Sequence, residues 1–127
     1  MKSFTQLGLK KEILEALSKL KLIEPLEVQE KVIPLALKGK NIVFTSQTGS
    51  GKTLAYSLGF LGKIDRKRDL QMLVIVPTRE LCIQVGKEIE KLCDILQINV
   101  GVIYGGRDIK GDFKTTMKKN QIMIGTP

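Results

Sequence analysis

Residues 46–53 read Ser-Gln-Thr-Gly-Ser-Gly-Lys-Thr, between the apolar run NIVFTS (41–46) and the helix-forming run TLAYSLGFLGKI (53–64). A strand, a Gly-rich turn and a helix N-terminus, in that order, build a phosphate cradle. Gly49 and Gly51 permit backbone angles and close approaches that side chains block. The N–H groups of residues 49–53 then face one concavity at the positive end of the helix. Lys52 has the reach for the β- and γ-phosphates of a nucleotide, and the Thr53 hydroxyl is the expected Mg²⁺ ligand. Ser46, Gln47, Thr48 and Ser50 complete the loop. The strict pattern G-x-x-x-x-G-K-[ST] begins with Gly. Here Ser46 stands first and is small enough to be tolerated.

The rest of the chain supports an α/β fold. Leu9, Ile13, Leu14, Leu17 and Leu20 recur at helical spacing. Pro25 breaks that run, and a second helical stretch runs from Glu27 to Leu37, with Pro34 expected to kink or end it. From residue 41 onward strand and helix patterns alternate. NIVFTS (41–46), QMLVIV (71–76), NVGVIY (99–104) and QIMIG (121–125) read as strands. RELCIQVGKEIEKLCDIL (79–96) reads as a long amphipathic helix, and DIKGDFKTTMKK (108–119) as a basic, weakly helical stretch. Such alternation predicts a parallel sheet with helices on both faces. Ligands bind such sheets beyond the carboxyl ends of the strands. The Gly-rich loop, PTRE (77–80), Gly105-Gly106 and Thr126-Pro127 all follow strand ends, so the pattern brings them to one rim.

Composition narrows the partner. Lys and Arg number 21 against 13 Asp and Glu, a net charge of +8. The excess favours a polyanion, although it is spread along the chain and much of it alternates with Glu on helix faces. Lys110, Lys114 and Lys118 share one predicted helical face, read either as a solvated face or as a contact for a polyanion. The chain has no His, and its two cysteines, Cys82 and Cys93, lie about 16 Å apart in one predicted helix, too far for a disulfide. A zinc site is therefore not expected. No signal peptide or apolar run of about 18 residues is visible. A reducing cytoplasm is the expected compartment.

Several segments together resemble the DEAD-box RNA helicases of superfamily 2. PLEVQ (25–29), with Phe4 as the isolated upstream aromatic, is similar to the Q motif of that family. SQTGSGKT is similar to motif I. PTREL (77–81), followed by Gln84, is similar to motif Ia, Gly105-Gly106 to the GG motif, and Thr126-Pro127 to the first half of motif Ib. The resemblance runs from Phe4 to Pro127. It implies a P-loop NTPase (RecA-like) three-layer fold with a mostly parallel sheet, truncated within the first RecA-like domain. Residues 1–39 would form the N-terminal helices and Q-motif region, and 40–127 the P-loop sheet core.

The resemblance also implies roles. Gln29 would read adenine, Pro25 would shape that loop, and Phe4 would pack behind it, giving a site for ATP and Mg²⁺. Pro77, Thr78, Arg79, Gly105, Gly106 and Thr126 would lie along an RNA sugar–phosphate backbone. Three positions depart from the family pattern. Lys21 and Leu22 replace a usual Gly and aromatic, and Leu26 replaces a usual Thr or Ser. The aromatic normally stacks on adenine, where Leu22 offers only apolar contact.

Hydrolysis in P-loop enzymes also needs an acid at a strand end to hold Mg²⁺. QMLVIV is followed by Pro77, NVGVIY by Gly105 and QIMIG by Thr126, so none supplies one. The resemblance places that acid in motif II, after Pro127, and an Arg finger in a second RecA-like domain. The chain is thus expected to hold part of a site and not to turn ATP over by itself. Two other readings remain open: a different P-loop enzyme, such as a GTPase or small-molecule kinase, and a non-catalytic module that binds through its basic surface. A GTPase would need an Asn-Lys-x-Asp motif, which is not present.

Overall fold

The apolar spacing of residues 9–20 produces helix α1, Lys11–Lys19, with Ile13, Ala16 and Leu17 buried. A computed structural model of the chain describes residues 2–106 and 119–127. These divide into two units, Met1–Lys63 and Ile64–Pro127, each described by itself.

In the first unit, a short 3₁₀ turn, Phe4–Gln6, precedes α1 and buries Phe4. Helix α2 spans Glu27–Leu37 and helix α3 spans Lys52–Leu61. Pro34 lies inside α2 and does not end it. Proline has no N–H for the Glu30 carbonyl, so one helical bond is lost. Burial of Val32, Ile33 and Ala36 on the same helix offsets that loss. Ala36 packs against Gly59 of α3, where an added Cβ would lie 2.3 Å from the Ala36 Cβ. Gly59 therefore sets the distance of closest approach between α2 and α3.

Three helices close in the same way. After α2, Gly39 takes φ +74°, and Lys40 N donates to Leu35 O at 3.1 Å. After α1, Lys21 takes φ +59°, with Lys21 N bonded to Ser18 O and Leu22 N to Leu17 O, both at 2.9 Å. These two bonds are the Schellman pair, whose left-handed residue is usually Gly. The helix from 79 to 96 ends likewise on Gln97, φ +58°, with Ile98 N bonded to Cys93 O.

In the second unit, strands β1 (Met72–Ile75), β2 (Val100–Ile103) and β3 (Ile122–Gly125) form a parallel sheet in the order β1-β3-β2. Helix α4, Arg79–Leu96, packs on β2 and β3. Gly86 allows that approach, since an added Cβ would meet the Val102 Cγ2 at 3.0 Å. The Cys82 thiol, fully buried, shares its one hydrogen between the carbonyls of Ile103 and Ile124. Cys93 is also fully buried. Burial, with smaller contributions from Asp94 and Glu90, pushes its thiol up to about 12, so it stays protonated and unreactive. Neither cysteine is in a disulfide. No helix among the described residues is long and apolar enough to cross a membrane.

One expectation is corrected. NIVFTS is not a strand: residues 41–46 belong to no sheet, and Val43 is 100 % exposed. Their exposure still alternates with period two, but a strand exists only through a ladder partner, and among the described residues 41–46 have none. QMLVIV forms a strand as expected and is buried on one face, with Leu73 and Ile75 mostly exposed. The basic stretch at 108–118, with Lys110, Lys114 and Lys118, lies outside the described residues.

Lys21 occupies a backbone conformation that costs a side chain about 1 kcal/mol. Lys21→Gly should therefore raise unfolding stability by about 0.5–1 kcal/mol in urea titrations, whereas loss of stability would contradict the closure described.

Candidate functional site

The phosphate loop of the first unit starts α3 through two glycines. Gly49 has φ +80° and Gly51, the N-cap, φ +85°. Ala55 N bonds to Gly51 O at 3.1 Å, so the helix begins on the loop's own carbonyl. The preceding N–H groups have no intrahelical acceptor and are available at the helix N-terminus. Lys52 donates its ammonium to the Ser46 carbonyl at 2.5 Å, and Ser46 Oγ donates to Ser50 Oγ at 2.5 Å. The Thr53 carbonyl accepts a bond from the buried Ser57 hydroxyl. Gln47 and Thr48 are exposed at the loop tip.

Within PLEVQ, Gln29 hydrogen-bonds to this loop. It is 3 % exposed. Its Oε1 accepts from Leu26 N at 2.9 Å, and its Nε2 donates to Gly51 O at 3.2 Å. The first bond is half of a capping box; Leu26, the N-cap of α2, has no side-chain oxygen to return it. The usual Thr or Ser at 26 would. A Cβ at Gly51 would lie 2.4 Å from Gln29 Nε2 and 2.9 Å from Leu26 Cδ1, whereas one at Gly49 meets nothing within 4 Å. Gly51 is thus required by backbone angle and by contact, and Gly49 by angle alone.

A carboxamide has two donor hydrogens and two acceptor lone pairs. After its two bonds to the chain, Gln29 keeps one hydrogen on Nε2 and one lone pair on Oε1. Pro25 is buried beside it in sequence, Leu22 is half-buried, and Phe4 is 4 % exposed, a core position. A cavity of about 550 Å³ opens between α2 and the loop, lined in part by Leu26, Val32, Phe44, Ser46, Gly49 and Ser50.

The second unit brings together three of the other segments. Register places Ile75, Gly125 and Ile103 side by side at the carboxyl edge of the sheet. Pro77 and Thr78, Gly105-Gly106, and Thr126 follow these ends and share one rim. Thr78 caps α4, its Oγ1 accepting from Leu81 N at 3.2 Å. Arg79, exposed at the first turn, lies over Gly106, with Nη1 3.0 Å from the position of an added Cβ. Gly106 has φ +82°. Thr126 N is held by Ile103 O at 3.2 Å. Arg79 makes no ion pair among the described residues, so the rim presents a guanidinium beside exposed backbone.

The opposite edge is braced by residues the sequence did not single out. Gln121, 4 % exposed, accepts from Asn99 N and donates to the carbonyls of Arg66 and Arg68. The two hydrogens of Gln71 Nε2 are shared among the carbonyls of Asp65, Arg68 and Asp69. No local pattern distinguishes these glutamines from ones that meet only solvent. Their role depends on partners far apart in sequence.

Residues 26–127 match the family model described as DEAD/DEAH box helicase. The chain belongs to the DEAD/DEAH box helicase family. Over its whole length it is 41 % identical to the ATP-dependent RNA helicase CshA of Listeria monocytogenes, of which it covers 25 %. It is 38 % identical to the DEAD-box ATP-dependent RNA helicase CshA of Geobacillus kaustophilus, of which it covers 27 %. A DEAD box protein from Methanococcus jannaschii is similar in structure, with a TM-score of 0.89 at 36 % identity, covering 98 % of this chain and 34 % of that one. The RNA-helicase Prp28 from Chaetomium thermophilum, bound to ADP, gives a TM-score of 0.87 at 30 % identity over 100 % of this chain and 32 % of that one. The DEAD-box chain described here thus has the RecA-like α/β fold of those helicase domains and spans about a quarter of the length of the curated relatives it matches.

The two loop glycines should differ in substitution. Gly51→Ala must displace Gln29 as well as strain the backbone, and should lower stability by about 2–3 kcal/mol. Gly49→Ala should cost about 1 kcal/mol. Urea unfolding of both variants tests this, and an equal or larger cost at Gly49 would contradict the packing.

Proposed function

We propose that this chain is the ATP-binding part of an ATP-dependent RNA helicase. The observation that carries the reading is the bond between Gln29 Nε2 and Gly51 O, which sets a base-reading carboxamide against a phosphate cradle. The remaining lone pair and hydrogen of Gln29 match the donor and acceptor of the adenine N6 and N7 edge, and guanine reverses that pattern at O6. Leu22 would give the base apolar contact, and Pro25 would shape the loop that carries Gln29. The N–H groups of residues 49–53 and the Lys52 ammonium hold the phosphates. For Lys52 to do so, it gives up its bond to Ser46 O. The Thr53 hydroxyl would ligate Mg²⁺, which when bound would neutralise phosphate charge.

Arg79, with Pro77, Thr78, Gly105, Gly106 and Thr126, would contact an RNA backbone. Guanidinium pairs with phosphate, and glycine backbone presents N–H groups without steric hindrance. Contacts of this kind are blind to sequence and weaken with salt. The acid that completes Mg²⁺ binding, and a second RecA-like domain, would come from the longer protein implied by the length of the relatives. The 127-residue chain would bind nucleotide without hydrolysing it. A cytoplasmic location fits this reading.

Nucleotide titrations of the chain should show tighter binding of ATP than GTP, and Gln29→Ala should erase most of the difference. Equal affinities in the wild type would reject adenine reading. Lys52→Ala should abolish binding of both. Arg79→Ala should weaken binding of single-stranded RNA by about ten-fold at low salt. RNA binding unaffected by that change would favour a module that uses its general basic surface.

A further inference from the structure

Ser46 occupies the position that the strict phosphate-loop pattern gives to Gly, and it makes two contacts across the loop. Its carbonyl accepts the Lys52 ammonium and its hydroxyl donates to Ser50 Oγ, both at 2.5 Å. Glycine could make the first contact but not the second. The hydroxyl bond spans the loop from its first residue to the one just before the N-cap Gly51, so it ties the two sides of the cradle together. All three residues are half-buried, where a hydrogen bond is less weakened by competing water.

We infer that the Ser46 hydroxyl is a latch that holds the loop in a self-bonded state, and that nucleotide phosphates bind only as this bond opens. The inference rests on the ATP reading for its ligand but not for its geometry. Lys52 is the group that must leave the Ser46 carbonyl to reach phosphate. The Ser50 bond and the Lys52 bond close the same loop from its first residue, so both favour the self-bonded arrangement. Part of the free energy of phosphate binding is therefore spent in opening the loop, as in any protein whose binding-competent state is a minor one. Ser46 is a positioning residue: it acts through Lys52 and Ser50.

Ser46→Ala removes the hydroxyl and leaves the backbone carbonyl. A neutral hydrogen bond of this kind shifts an equilibrium by about two- to ten-fold. Amide hydrogen exchange of residues 47–51, measured without ligand, should speed up by that factor in Ser46→Ala and in Ser50→Ala. The double variant should exchange no faster than either single one, since they share one bond. Inorganic triphosphate and Mg²⁺-ATP should bind Ser46→Ala about two- to ten-fold more tightly, with most of the gain in association rate. Unchanged exchange, additive effects, or weaker triphosphate binding in Ser46→Ala would overturn the latch. Faster exchange in the variants together with no binding of triphosphate or ATP by any form would uphold the latch and reject the ATP reading.

Discussion

The first unit is organised around the contact between the Gln29 carboxamide and the Gly51 carbonyl. Gly51 must adopt a left-handed angle for the loop to turn into α3, and it must lack a side chain because Gln29 lies where one would be. The same carboxamide caps the start of α2 through Leu26 N. One side chain therefore fixes the N-termini of two helices. Each N-terminus carries partial positive charge and unpaired donors, so the contact also positions the groups proposed to meet the nucleotide. The close packing of Ala36 on Gly59 holds the same two helices farther along.

The second unit solves a different problem. Backbone ends must be held still while being left exposed. Parallel pairing of β1 and β2 on β3 aligns the three carboxyl ends, and α4 packs on β2 and β3 with the Cys82 thiol against the carbonyls of Ile103 and Ile124. Gln71 and Gln121 secure the other edge. Arg79 then projects from a capped helix start over a glycine that gives it room. An exposed arginine on rigid surroundings loses less freedom on binding than one on a loose loop.

Much of this was legible in the sequence, for local reasons. The spans of α2 and α4 follow from periodicity and from Pro25 and Thr78 at their starts, and Gly49 and Gly51 follow from the motif. What was not legible depends on partners distant in the chain. NIVFTS has strand composition and alternating exposure, but nothing among the described residues pairs with it. Pro34 reads as a helix breaker, yet α2 passes through it because its other residues are buried. Lys21 looked only like a departure from the family pattern. The structure shows the backbone reason for the usual glycine, a left-handed helix closure, which the lysine adopts at a cost. The engagement of Gln29 with Gly51, and of Ser46 with Ser50, could not be read from residue types alone.

The central claim is that Gln29 supports the phosphate cradle as well as facing the base. The most direct measurement is the affinity of inorganic triphosphate, which has no base, for the wild type and for Gln29→Ala. Loss of the Gly51 contact should weaken triphosphate binding by about three- to ten-fold, the worth of one hydrogen bond. Unchanged triphosphate affinity, with ATP affinity alone reduced, would show that Gln29 acts on the base only and would contradict the account.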